Sequence, residues 1–327
     1  MNSQVLWILL AATLLITACS RPPPPSDSLQ VAVRTVHTGA LSRDGTQALI
    51  GSSQHGGSLW QINTRERLYN WNHQANEYTQ LQASAVSPDG GWAITSDGQA
   101  VVLWSTSGGA SAGFWNMTGQ IRAMAMARHG NVAALALNDG RATLYDVRSG
   151  NLLQSFTHRG PVNSIAVSDD LSLTLSGGDD QLARVWDNNT ATIISERQFS
   201  DPLQLVALSA DGHLALASAR YDRVDIFATD TGELVWNLPF TRERTRRGLT
   251  ISAVRFSDDG DYLLTGRPDG IVQLWDIVNQ SEIYRWQLGK QKNWQPVSTI
   301  VMDVSFTADA NRYRAISSDG FVHTLSY

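Results

Sequence analysis

One pattern recurs seven times between Ala40 and Ala310, and it restricts what this chain can fold into more than any other feature. It reads ALSRDG from Ala40, AVSPDG from Ala85, AMARHG from Ala125, AVSDDL from Ala166, ALSADG from Ala207, RFSDDG from Arg255 and SFTADA from Ser305. Each copy runs into a second alternating stretch, a polar turn and a third stretch: SLWQIN, VVLWST, ATLYDV, ARVWDN, VDIFAT, VQLWDI and VHTLSY. A further aromatic at Trp71, Trp115, Phe156, Trp236 and Trp286 marks a fourth. Short alternating runs bounded by Asp-Gly turns form half-buried antiparallel strands. A period near 40 residues carrying four such strands builds one propeller blade. The expected fold is therefore all-β, a seven-bladed propeller with four antiparallel strands per blade, and not the two domains that 327 residues would otherwise suggest.

The most complete copy runs from Thr157 to Asn188. With Trp186-Asp187, Trp275-Asp276 and the softened Tyr145-Asp146, the chain from about Leu29 to Tyr327 resembles the WD-repeat β-propeller family. The resemblance implies a hydrogen-bonded structural tetrad of His158, Ser176, Asp180 and Trp186, in which Asp180 accepts from the imidazole and the indole N–H ends the relay. Other copies lack parts of it. No matching His is found in blades 2 and 5, and Leu325 stands where blade 7 would carry the aromatic. His158 is thus expected to hold a blade together rather than to act as a base or metal ligand, roles that need convergent partners.

The ends of the chain bear on closure. The last copy stops after its third strand, and Leu29–Thr35 alternates without a blade of its own, so this stretch is expected to complete blade 7 and close the ring.

The turn residues Asp44, Asp89, His129, Asp170, Asp211, Asp259 and Asp309 lie 45, 40, 41, 41, 48 and 50 residues apart. Within a copy the spacing from turn to third-strand aromatic is nearly constant. The surplus falls between a fourth strand and the next first strand, and all such connections leave an antiparallel propeller on one face. Insertions confined to one face mark a binding face. Two of the long connections are cationic: one carries Arg242, Arg244, Arg246 and Arg247, the other Lys290 and Lys292 with Trp294. In a chain of net charge -5 they form a candidate site for an anionic protein surface or polymer. The same acidic balance argues against nucleic acid as a partner.

The sole cysteine, Cys19, follows the apolar run Val5–Ile16, which is shorter than the roughly 20 residues of a membrane-spanning helix and suits a signal-peptide core. Ile16-Thr17-Ala18-Cys19 resembles a bacterial lipobox, although no Lys or Arg precedes the apolar core. That resemblance implies a signal peptide over 1–18, lipid attachment at Cys19, and, with Ser20 next, sorting to the outer membrane facing the periplasm. Acyl chains on one residue meet the two-signal need for stable anchoring. Residues 19–28, with four consecutive prolines at Pro22–Pro25, would form an extended tether, leaving 29–327 as the propeller.

No Gly-rich phosphate loop, Cys/His ligand spacing or nucleophile elbow occurs. The expectation is a monomeric, non-catalytic scaffold for protein partners in a bacterial envelope, with no cofactor. One stretch, Ala228–Trp236, is similar to the tryptophan-docking repeat of quinoprotein propellers, and this carries the alternative of a quinoprotein-like enzyme or an outer-membrane protein assembly factor.

Overall fold

The computed structural model describes residues 22–74, 77–127, 129–240, 251–289 and 299–327. These form seven sheets of four antiparallel strands each, arranged as a ring of blades around a central channel. Blade 1 comprises, from the channel outward, Val36–Leu41, Gln47–Ser52, Gly56–Gln61 and Glu66–Trp71. Blades 2 to 6 open with the inner strands Ala83–Val86, Ile121–Met126, Val162–Val167, Leu203–Leu208 and Ala253–Phe256. Their outer strands are Ser111–Asn116, Leu152–Thr157, Thr192–Gln198, Leu234–Asn237 and Ser281–Gln287. Blade 7 contributes Val301–Phe306, Arg312–Ser317 and Phe321–Ser326, and its outer strand is Asp27–Gln30 from the start of the ring.

The closing strand begins two residues earlier than the expected Leu29 and stops at Gln30 instead of Thr35. Asp27 pairs with Thr324 and Gln30 with Phe321. Pairing ends there because the amides of Val31 and Ala32 both turn to the Gly320 carbonyl, which steers their side chains into the junction with blade 1. Part of the expected tether also lies against the ring. The Pro23 carbonyl accepts from the Gln287 amide at 2.9 Å, and the Ser26 amide donates to Thr324 O. Proline keeps its carbonyl acceptor even though it has no N–H.

The recurring turn owes its sequence to one hydrogen-bond scheme. In blades 1, 2, 4, 5 and 6 a serine (Ser42, Ser87, Ser168, Ser209, Ser257) donates from Oγ to the Asp two residues on, at 2.5–2.6 Å. The carboxylate in turn accepts backbone N–H groups across the bend, as Asx turns do. The glycine that follows takes positive φ, 71° at Gly90. In blade 4 Leu171 occupies that place with φ of 63°, a conformation that favours glycine.

There is no single core. Seven apolar clusters each straddle one junction between neighbouring blades. An outer-strand aromatic meets a third-strand tryptophan of the next blade at three of them: Trp71 on Trp104 at 5.3 Å, Phe156 on Trp186 at 4.9 Å, and Trp236 edge-on to Trp275 at 5.8 Å. This is why the fourth-strand aromatics recur in sequence. Each large ring buries area against the following blade, so each blade needs its neighbours, and a closed ring leaves no junction unmatched.

Candidate functional site

The inner strands all run the same way through the ring, so residues at their starts lie at one mouth of the channel and residues past their ends at the other. At the first mouth Arg122 donates to Asn163 Oδ1 at 2.5 Å. At the second, Arg43 reaches Asp169 with both terminal nitrogens, at 2.5 and 2.8 Å. Between the mouths the channel, about 500 Å³, is lined by Gly39, Ala85, Ala125, Ala166 and Ala207 among others. A further pair, Arg255 with Asp303 at 3.0 Å, joins blades 6 and 7, and Asp303 also accepts the Leu41 amide of blade 1. Among these described contacts, Arg43–Asp169 and Arg255–Asp303 are ion pairs.

The face carrying the outer-to-inner connections holds the three long ones, between Trp71 and Ala83, Asn237 and Ala253, and Gln287 and Val301. The other four connections span only four or five residues, for example 117–120 and 158–161. Both cationic segments leave from ordered stems. Leu238 donates its amide to Val224 O, and Phe240 packs edge-on against Trp275 at 5.5 Å. Leu288 donates to Gly270 O, and Thr299 Oγ1 reaches Asp319. Arg242, Arg244, Arg246, Arg247, Lys290, Lys292 and Trp294 themselves lie outside the described residues, as does Cys19.

The structure brings together His158, Ser176, Asp180 and Trp186. The indole Nε1–H donates to Ser176 Oγ at 2.8 Å, Ser176 lies 2.7 Å from His158 Nε2, and His158 Nδ1 lies 3.0 Å from Asp180 Oδ1. The Asp180 carboxylate beside Nδ1 can only accept, which places the imidazole proton on Nδ1 and leaves Nε2 to accept from Ser176 Oγ. Burial pushes the His158 pKa down, only partly offset by Asp180, so the relay holds a neutral imidazole. Burial works to raise the Asp180 pKa, but His158, the Arg159 amide and Arg184 hold it below the usual carboxylate range. Arg184, which sequence reasoning passed over, donates to Asp180 Oδ2 at 3.0 Å and reaches Glu196 at 3.2 Å.

Blade 2 corrects the expectation that it has no matching histidine. His73 Nε2 lies 2.9 Å from Thr95 Oγ1, which accepts the Trp104 indole at 2.8 Å, and Asp97 Oδ2 stands 3.8 Å from Nδ1. His73 follows the outer-strand Trp71 by two residues, as His158 follows Phe156. The long connection after it moved it away from the inner strand, from which the match is naturally counted. Blade 6 keeps only the Trp275-to-Thr265 bond, at 2.8 Å. In blade 5, Ala217 and Phe227 occupy the serine and tryptophan places by register, and a buried Asp225 is held by Arg197, Arg223 and Asn237.

These histidines are spent on strands. Among the described residues, no group of three or more His, Cys, Asp or Glu could hold a metal ion, and no helix is long and apolar enough to cross a membrane.

Comparison with known proteins agrees with the repeat. Residues 150–187 and 242–276 match the family described as WD domain, G-beta repeat. The chain is 24% identical over 163 residues to the COMPASS component SWD3 of Saccharomyces cerevisiae, covering 49% of this chain and 52% of that protein. It is 29% identical over 143 residues to Autophagy-related protein 16 of Arabidopsis thaliana, 43% of this chain and 28% of that one. It is 24% identical over 156 residues to Pre-mRNA-processing factor 19 of Caenorhabditis elegans, 46% of this chain and 31% of that one. The chain spans about half or less of the length of these relatives. The matched repeats, set in a ring of seven four-stranded blades, support a WD-repeat β-propeller.

Proposed function

We propose that the chain is a non-catalytic scaffold that takes protein partners on the face bearing the three long connections. The observation that carries this reading is the confinement of surplus length to that face, between blades whose strands are otherwise uniform. Stiff blades let loops vary without disturbing the ring. A relative's name, COMPASS component, fits a scaffold that works inside an assembly.

The finer reading adds a location and a partner chemistry. Lipid at Cys19 anchors the ring to a bacterial outer membrane, facing the periplasm, and the cations Arg242, Arg244, Arg246, Arg247, Lys290 and Lys292, with Trp294, take an anionic partner. Exchange of Arg244, Arg246 and Arg247 for Glu should abolish capture of the partner by crosslinking in intact cells and leave the melting temperature unchanged. Equal capture by the variant would remove the basic segments from the site. Cys19→Ser should move the protein from the detergent phase to the aqueous phase, and an unchanged distribution would rule out the lipid anchor.

A further inference from the structure

The connection between blades 1 and 2 borders a cleft of about 720 Å³ whose rim is made of side-chain amides. Gln80 and Gln82 come from the connection, Gln99 from the blade 2 turn, Asn116 from the end of the blade 2 outer strand and Gln120 from the link to blade 3. All five are exposed, and none makes a side-chain hydrogen bond among the described residues.

In the connection that carries the first two, described residues contact one another. Asn72 Oδ1 accepts the Thr79 amide at 3.1 Å, and Thr79 Oγ1 accepts the His73 amide at 2.7 Å. Tyr78 stands edge-on to His55 with centroids 6.4 Å apart, yet it is 71% exposed at the rim.

His73 also lines this cleft, and its side chain is only 3% exposed. Thr95 Oγ1 accepts from the Trp104 indole and shares a hydrogen bond with His73 Nε2, which leaves Nδ1 facing Asp97. That atom is buried and has no hydrogen-bond partner. In blade 4 the corresponding gap to the carboxylate is 3.0 Å, whereas Asp97 is held at 3.8 Å. The blade 2 turn is one residue shorter: Thr95 precedes its tryptophan by nine positions, and Ser176 precedes Trp186 by ten.

We propose that this cleft binds a neutral saccharide. Each side-chain amide offers a donor and an acceptor that pair with neighbouring hydroxyls, and an exposed tyrosine face covers the C–H side of a pyranose ring. A further hydroxyl can donate to Asp97, whose side chain is open to the cleft while His73 beneath it is closed to solvent. The charged groups on the lining are Glu77 and Asp97, both acidic, which disfavours an anionic polymer. Among the described lining residues the apolar side chains are Ala100, itself buried, and Tyr78, a pair that offers little to an anchoring side chain of a peptide. This site uses no residue of the cationic segments and does not depend on the protein-partner reading.

The test is isothermal titration of the whole ring with cellotetraose, maltotetraose and tetra-N-acetylchitotetraose, beside polygalacturonate and a mixed peptide library. At least one neutral oligomer should bind saturably. Tyr78→Ala and Gln99→Ala, both at exposed positions, should each weaken that binding about tenfold or more with unchanged melting temperature. The proposal is overturned if no neutral oligomer binds up to about 10 mM, weaker than any affinity a built site would show. It is equally overturned if binding survives both substitutions, or if only the anionic polymer or peptides bind in a way that Tyr78→Ala abolishes.

Discussion

Arg43 of blade 1 grips Asp169 of blade 4 across one mouth of the central channel, with two parallel N–H to carboxylate bonds of 2.5 and 2.8 Å. The two blades are not neighbours, and the arginine's Nε lies 3.5 Å from Asp258 of blade 6 as well. The aspartates are the first members of the acidic pairs Asp169-Asp170 and Asp258-Asp259. The second members cap their own hairpins through Ser168 and Ser257, which frees the first to face the channel. One side chain thus ties three blades that share no sheet and no junction core.

Bidentate geometry strengthens this pair, while partial exposure, 29% for Arg43 and 14% for Asp169, screens it. A double-mutant cycle with Arg43→Ala and Asp169→Ala is expected to give a coupling of about 1 kcal/mol in urea unfolding. The coupling should shrink on moving from low salt to about 1 M, where the Debye length falls to about 3 Å. Strict additivity of the two substitutions would show that the link contributes nothing.

The blade 4 relay should behave differently, because its members are buried. Ser176→Ala leaves the Trp186 indole and His158 Nε2 without their shared partner, at an expected cost of roughly 2–4 kcal/mol. Adding Trp186→Phe removes the stranded indole donor and reproduces the combination of Ala217 and Phe227 already present at these two places in blade 5. The double variant should therefore lose clearly less than the sum of the two single losses, as read from urea midpoints at constant m-value. A sum equal to the parts would mean that the serine and the indole act independently.

The blades, their number and the relay of blade 4 were legible because they rest on local chemistry: period-2 alternation, a Ser-x-Asp-Gly hairpin, and side chains at constant offsets within one repeat. His73 carried a usable signal too, its place two residues after Trp71, but the long connection hid it from a count made backward from the inner strand. The Arg43–Asp169 link had no local signal at all. Ring closure decides which turns face each other, so two residues 126 positions apart meet for reasons that neither flanking sequence contains. The Asp225 cluster was hidden likewise, since Arg197 comes from the outer strand of the preceding blade. For the cationic connections the sequence supplies composition and position alone, because their residues lie outside those the structure describes.

Closure makes the start of the ring a stability element. Removing the chain through Gln30 deletes four pairs with Phe321–Thr324 and takes away Ser28, whose Oγ lies 2.8 Å from His323 Nδ1. It also leaves the Phe321–Ser326 strand as an unpaired edge. The truncated protein is expected to melt many degrees lower and to associate through that edge, which differential scanning calorimetry and size-exclusion chromatography would report. A monomer with an unchanged midpoint would mean that blade 7 is stable with three strands.

Acid should unfold the ring through its buried histidines. His323 is 4% exposed between Ser28 and Ser317, and burial pulls its pKa down to about 4. In the unfolded chain the same imidazole titrates near about 6.5, so the unfolded state takes up the proton first. The stabilisation from keeping it neutral is fully present above about pH 6.5 and disappears progressively as pH falls toward 4, amounting to roughly 3 kcal/mol at most. Burial lowers the pKa of His158 and His73 as well, so their contributions have the same sign and begin to fade at the same upper limit. The hairpin aspartates Asp44, Asp170 and Asp211 resist longer. Burial opposes them, but serine hydroxyls and backbone amides hold their carboxyls below the usual range, and their contribution is lost only at lower pH. Urea midpoints measured between pH 7.5 and 4.5 should therefore fall with more than one proton taken up on unfolding, and His323→Gln should reduce that uptake by about one proton. A midpoint flat down to pH 4.5 would show that these imidazoles take up protons equally in the folded and unfolded chains.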